Sequence, residues 1–252
     1  VGTQTITVSG IALTSLDGDN DARNYTTDST RTVNVAINPA ELTITGLDAV
    51  DRDYNGTITV TPGGNPDLDG VIPADDDFIA LDTTSAAMEI EDPDYSASEK
   101  DVTVTGYSLK EGTAGDRTGN YTLTLPSPGD ITVAIDKADL PVSVTAGTKP
   151  YDGTNAVTLT ATINPLNLFS RDRPVGDTIY VTASASGTFD SVDVNILDDN
   201  TVGVTVSGVT LAGDRALNYS PTFNSTTSAI ITPFELTLSP RADDKVYDGD
   251  AT

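Results

Sequence analysis

The sequence has no cysteine, no histidine and no tryptophan, and one methionine in 252 residues. Without cysteine there is no disulfide, no thiolate metal site and no thiol nucleophile. Without histidine the commonest general base and metal ligand is gone, so no Ser-His-Asp triad can form. Without tryptophan the chain lacks the broadest aromatic platform for a sugar ring. Positive charge is scarce too: 13 Lys and Arg against 38 Asp and Glu leave a net charge of −25. That balance argues against nucleic acid, whose phosphates must be neutralised by Lys and Arg, and against an anionic membrane surface. No run approaches the roughly 20 apolar residues of a membrane-spanning helix, so no direct membrane insertion is expected.

What is present favours strands. The 37% hydrophobic fraction is rich in Val and Ile, and Thr is abundant beside it, which suits pleated, half-buried segments. Asp outnumbers Glu, and Asp is both a turn residue and a short oxygen ligand for calcium.

Four landmarks recur in one order. The first is a Tyr-(Asp/Asn)-Gly turn at Tyr54-Asn55-Gly56, Tyr151-Asp152-Gly153 and Tyr247-Asp248-Gly249, spaced by 97 and 96 residues. The second is Val-(Ser/Thr)-Gly-x-x-Leu at 8–13, 104–109 and 206–211. The third is Asn-Tyr-(Thr/Ser) at Asn24-Tyr25, Asn120-Tyr121 and Asn218-Tyr219. The fourth is a junction at 37–42, 135–140 and 231–236. A shared period near 97 residues predicts tandem modules. Residues 42–139 and 140–235 are two complete units. Residues 1–41 end a preceding unit, and residues 236–252 begin a following one.

This landmark set resembles the YDG and MBG repeats of large bacterial adhesins and filamentous-haemagglutinin-like surface proteins. The resemblance spans the chain and is strongest at 149–153, 176–178, 204–211 and 218–219. The unit at 42–139 departs from it, with Asn55 in the turn and an acidic loop at 67–77. The resemblance implies secretion and tandem display, and implies no catalytic residue.

Within 140–235, alternating runs fall at 140–145, 156–163, 178–186, 192–196, 202–211, 219 onward and 228–232, separated by turn chemistry. Seven short strands in about 96 residues predict an all-β fold of tandem Ig-like antiparallel β-sandwich domains. Tyr25, Tyr121 and Tyr219 match a tyrosine corner, in which the ring packs and the hydroxyl bonds upstream backbone. The junctions hold no Gly/Ser tether, and Pro39 and Pro233 stiffen two of them. End-to-end joining in an extended rod follows.

Catalysis is not expected: the chain is read as a non-enzyme. Calcium is the one candidate cofactor, with Asp17, Asp19 and Asp21 placing oxygen side chains at alternate positions; solvated acidic turns are the alternative. Asn24, Asn120 and Asn218 each open an Asn-x-(Ser/Thr) sequon and are candidate glycosylation sites, although the corner motif accounts for Asn-Tyr without a glycan and is the preferred reading. Lys149 and Lys245 precede the turn tyrosines by two residues, with Arg52 in the matching place. A surface ion pair is the plain reading of these cations, and an isopeptide crosslink the sharper one.

The expected function is structural: a repeat segment of an extracellular, cell-surface adhesin stalk or filament, serving as spacer or fibre-forming module. Its partners would be neighbouring repeats and other copies in a filament. The alternative is an adhesive module binding a host or cell-surface glycan or protein through its loops. Val1 opens inside a strand-like run, so the partial end units are expected to be a window on a longer array; pairing of partial units between molecules is the competing expectation.

Overall fold

The computed structural model describes residues 1–15, 20–176, 178–247 and 249, and the side chains of all of these except Asn20 and Asp21. The described chain is all-β, with strands joined by turns and short 3-10 segments. It divides into two compact units: Val1–Asp53 with Thr57–Asp136, and Tyr54–Gly56 with Lys137–Thr252.

The same plan appears in both units. In the second, the strand Ala138–Ala146 is central. Its first half, 138–141, runs parallel to Tyr219–Thr222, and its second half, 142–146, runs antiparallel to Leu159–Ile163. A second sheet sets Thr201–Ala212 between Thr182–Phe189 and Thr226–Thr232, and Lys149–Pro150 adds to its edge in parallel. Alternation along these strands decides what is buried: Leu140, Val202, Val204, Val206 and Ile231 point inward, while the intervening residues are more exposed. Phe189, Val202, Val204, Ala229 and Ile231 form one cluster, closed by Ala146, Val157, Leu159 and Val194. Burial of this kind stabilises at roughly 25 cal/mol per Å² of apolar surface.

In the first unit, Ala40–Ala49 is again central, parallel to Tyr121–Thr124 and antiparallel to Pro62–Asp69. Leu42, Ile79 and Tyr121 form a cluster with Leu68, Val71, Leu109 and Leu123 around them. Lys100–Thr105 lies between Ala87–Ile90 and Thr132–Val133.

Two expectations need correction. Pairing is not purely antiparallel: the opening strand and the edge dipeptide of each unit pair in parallel. The opening strand's parallel partner begins 81 residues later (40 to 121, 138 to 219), a return crossing that local sequence does not announce. The run at 192–196 is not a strand either. It leads into a turn in which the Asn200 N–H donates to Asn195 O at 2.8 Å, and Asp199 and Asn200 take positive φ. Ile196 and Leu197 are accordingly exposed. The break at Gly208 becomes a β-bulge opposite Ser186 and Gly187.

Residues of the partial copies behave differently. Gly2–Ser9 and Thr30–Ile37 form an eight-pair antiparallel hairpin with every residue exposed. Residues 233–247 carry no strand, and Leu236 is exposed where its counterparts Leu42 and Leu140 are fully buried.

Candidate functional site

Each unit holds a closed ring of hydrogen bonds around one tyrosine. In the first unit a 3-10 turn, Thr118–Asn120, delivers Tyr121 to the start of its strand. A second 3-10 segment, Pro73–Phe78, carries Asp75. The Tyr121 hydroxyl accepts from the Ile72 N–H at 3.3 Å and donates to Asp75 Oδ2 at 2.9 Å. The Asp75 N–H donates back to Ile72 O at 2.7 Å, closing the ring. Arg117, four residues before the tyrosine, pairs with the other carboxylate oxygen and lies 4.0 Å over the Phe78 ring. Asp75 is buried, and its pKa is lowered by the hydrogen bonds from Arg117 and then Tyr121. Burial and the Asp75 bond raise that of Tyr121.

The second unit repeats the ring. Tyr219 follows the 3-10 turn Ala216–Asn218, and Asp172 ends the turn Ser170–Asp172. The Tyr219 hydroxyl accepts from the Phe169 N–H at 3.1 Å and donates to Asp172 Oδ2 at 2.7 Å. The Asp172 N–H returns to Phe169 O at 2.9 Å. Asp172 is completely buried, with Arg215 Nε 3.9 Å from Oδ1.

This unit has one further member. Tyr54 is 1% exposed and donates its hydroxyl to the same Asp172 Oδ2 at 2.6 Å. Its ring meets Tyr219 and Phe169 edge-on at 5.5 Å each, the geometry that the aromatic quadrupole favours. Burial first, and then the Asp172 contacts, push the Tyr54 pKa well up; burial does the same for Tyr219. Both phenols therefore stay protonated at neutral pH and act as donors. Gly56, at φ +75°, lets the turn lie flat here: a Cβ would stand 3.3 Å from the Phe169 and Arg171 side chains.

The turn that carries Tyr151 is built from its own residues. The Lys149 ammonium donates to Asp152 Oδ1 at 2.7 Å and to Thr154 O at 2.6 Å. Asp152 also accepts from the Thr154 N–H at 2.9 Å, and Gly153 takes φ +76°. The Lys149 and Thr154 bonds hold the Asp152 pKa down to about 2. Arg52 does the same work in the first unit, reaching Thr57 O at 2.6 Å. Lys149 is thus a turn clamp, its ammonium held by Asp152 and Thr154.

A YDG domain model matches residues 38–129 and again 136–229, about three quarters of the chain. The chain belongs to the YDG domain family. Neither the curated proteins nor the solved structures contain a match. The YDG turns fall inside both matched stretches, at 54–56 and 151–153.

The YDG tyrosines have different surroundings: Tyr54 is buried, Tyr151 is 37% exposed and Tyr247 is 91% exposed. The Tyr151 N–H donates to Thr232 O, while its side chain lines an open groove with Val194, Phe234 and Leu236. Gly249 takes φ +88°. Tyr25 is exposed, unlike Tyr121 and Tyr219.

The candidate calcium ligands Asp17 and Asp19 lie outside the described residues, as does the Asp21 side chain. Among the described residues no three acidic side chains converge on a metal-sized site. The acidic stretch 67–77 is not one loop. Asp67 and Asp69 belong to a strand, and Asp75 is taken by the buried ring. Of the candidate glycosylation residues, Asn218 is 3% exposed, whereas Asn24 and Asn120 are exposed.

Sequence reading singled out the tyrosines and missed their acids. Asp75 stands beside Asp76 and Asp77, and nothing in its neighbours distinguishes it. The arginines were findable, since Gly-Asp-Arg precedes Asn-Tyr at both 115–117 and 213–215.

Proposed function

We propose that the chain is a structural repeat segment of an extracellular cell-surface adhesin stalk or filament, in which Ig-like sandwich modules are joined end to end as a stiff spacer. The observation that carries this reading is the double family match with six residues between the copies. One module's last edge dipeptide, Ile135–Asp136, is followed after a single residue by the next opening strand, Ala138–Ala146. A junction this short leaves no flexible tether, and Gly/Ser linkers are what give independent domain motion. The tyrosine rings serve this role as internal staples in a chain with no disulfides. Neighbouring repeats and other copies of the chain are the partners the reading implies, with secretion to the cell surface. Small-angle scattering on chains of increasing repeat number tests it. The maximum dimension should grow by one constant increment per repeat; a dimension that saturates would refute the spacer role.

A further inference from the structure

The two tyrosine rings share the same three hydrogen bonds between tyrosine, aspartate and backbone but differ in occupancy. Around Asp172 two phenols share one carboxylate oxygen; around Asp75, among the described residues, Tyr121 is the only phenol on that carboxylate. The rim of the first ring is correspondingly open. Ile72 is 51% exposed, whereas its counterpart Phe169 is largely buried against Tyr54. The knob has an unused copy as well. Tyr151 sits on a turn already rigidified by Lys149, Asp152 and Thr154, with its ring exposed to solvent along one side.

We propose that the Asp75–Tyr121–Arg117 ring is a socket for the Tyr151-Asp152-Gly153 turn of a second copy of this chain. The Tyr151 hydroxyl would donate to the Asp75 carboxylate, and its ring would pack on Ile72 and Tyr121. The chemistry is that of Tyr54 on Asp172: a neutral donor entering a buried acceptor flanked by an aromatic edge, with Gly153 keeping the turn backbone close. The carboxylate has acceptor capacity for a further donor, as Asp172 Oδ2 demonstrates. Knob and socket belong to different units of one chain, so the contact is heterologous and can propagate head to tail. The net charge of −25 opposes approach of two copies, so added salt should strengthen association.

The inference rests on the repeat-module reading, but its failure is separable: a chain that stays monomeric while lengthening with each added repeat removes the socket and leaves the spacer. The test is sedimentation of the whole chain in high salt, up to about 1 mM, the range in which a contact of a few kcal/mol is populated. Wild type should form oligomers whose size rises with concentration. Tyr151→Ala lacks the knob and Asp75→Ala lacks the socket, so each alone should associate about tenfold or more weaker, the factor set by one lost hydrogen bond to a charged group. An equimolar mixture of the two should recover a heterodimer, because each supplies what the other has lost. Ile72→Glu, on the exposed rim, should block the socket without entering the core, covering the case in which Asp75→Ala fails to fold. Monomeric wild type, unchanged association in the variants, or loss with Tyr247→Ala in place of Tyr151→Ala would overturn the proposal.

Discussion

At the scale of single residues, the second unit depends on one buried carboxylate and the groups that satisfy it. Asp172 has no exposed surface, and its Oδ2 is met by both phenols, while Oδ1 has no hydrogen-bond partner among the described residues and faces Arg215 Nε at 3.9 Å. Tyr219 and Tyr54 do not contribute equally. Tyr219→Phe removes the donor to Asp172 and also strands the part-buried Phe169 N–H, two losses that together cost about 2–4 kcal/mol. Tyr54→Phe removes one donor from an oxygen that keeps another, at about 1–2 kcal/mol. Calorimetric unfolding of the two variants should rank them in that order; equal losses would mean that the Phe169 bond contributes nothing. The turn acid works differently. Lys149 and Thr154 hold Asp152 down to about 2, below the unfolded value near 3.9. A group depressed in the folded state contributes stability that is present above its unfolded pKa and lost as pH falls through the folded one. Wild-type melting temperature should therefore drop between about pH 4 and pH 2, and Asp152→Asn should flatten that part of the drop. Parallel curves for the two proteins would assign the acid sensitivity elsewhere, Asp75 first among the other carboxylates, since Arg117 and Tyr121 lower it as well.

At the scale of elements, one sequence pattern appears in two burial states. Val104 and Val206 are 5% and 4% exposed in complete modules, while the equivalent Val8 is 46% exposed in its hairpin. The strands alternate alike; what differs is whether the rest of a module lies against the inner face. Val204→Ala should cost about 2 kcal/mol from two lost methyl groups and the space they leave. Val8→Ala should stay within about 0.5 kcal/mol, as surface changes do. Urea unfolding of both variants checks this, and a large loss in Val8→Ala would show that the hairpin face is covered in solution. Element boundaries follow the same logic. The run at 192–196 is apolar enough for a strand, yet Asp198, Asp199 and Asn200 supply turn chemistry directly after it, and local turn preference wins over periodicity. Lys149–Pro150 does the reverse: a turn-like dipeptide is drawn into an edge pairing, which proline tolerates because an edge leaves its missing N–H unneeded.

At the scale of the whole chain, the family period and the compact units do not coincide to the residue. The first match runs 38–129, but residues 54–56 inside it belong to the second unit. A period read from sequence marks where a motif recurs; a compact unit marks where side chains find partners. A YDG tyrosine falls on one side of that distinction or the other according to what it touches, which is why Tyr54 is buried and Tyr151 and Tyr247 are not.

Strand-rich composition, the period near 97 residues and the placement of Tyr121 and Tyr219 were legible in the amino-acid order, because alternation, turn residues and recurrence are local properties. The parallel return of each opening strand, the choice of Asp75 and Asp172 from many aspartates, and the burial of Tyr54 were not. Those depend on groups 46 to 118 residues apart in sequence meeting in a dry interior, and only the folded chain decides which of many identical side chains is close enough to bond.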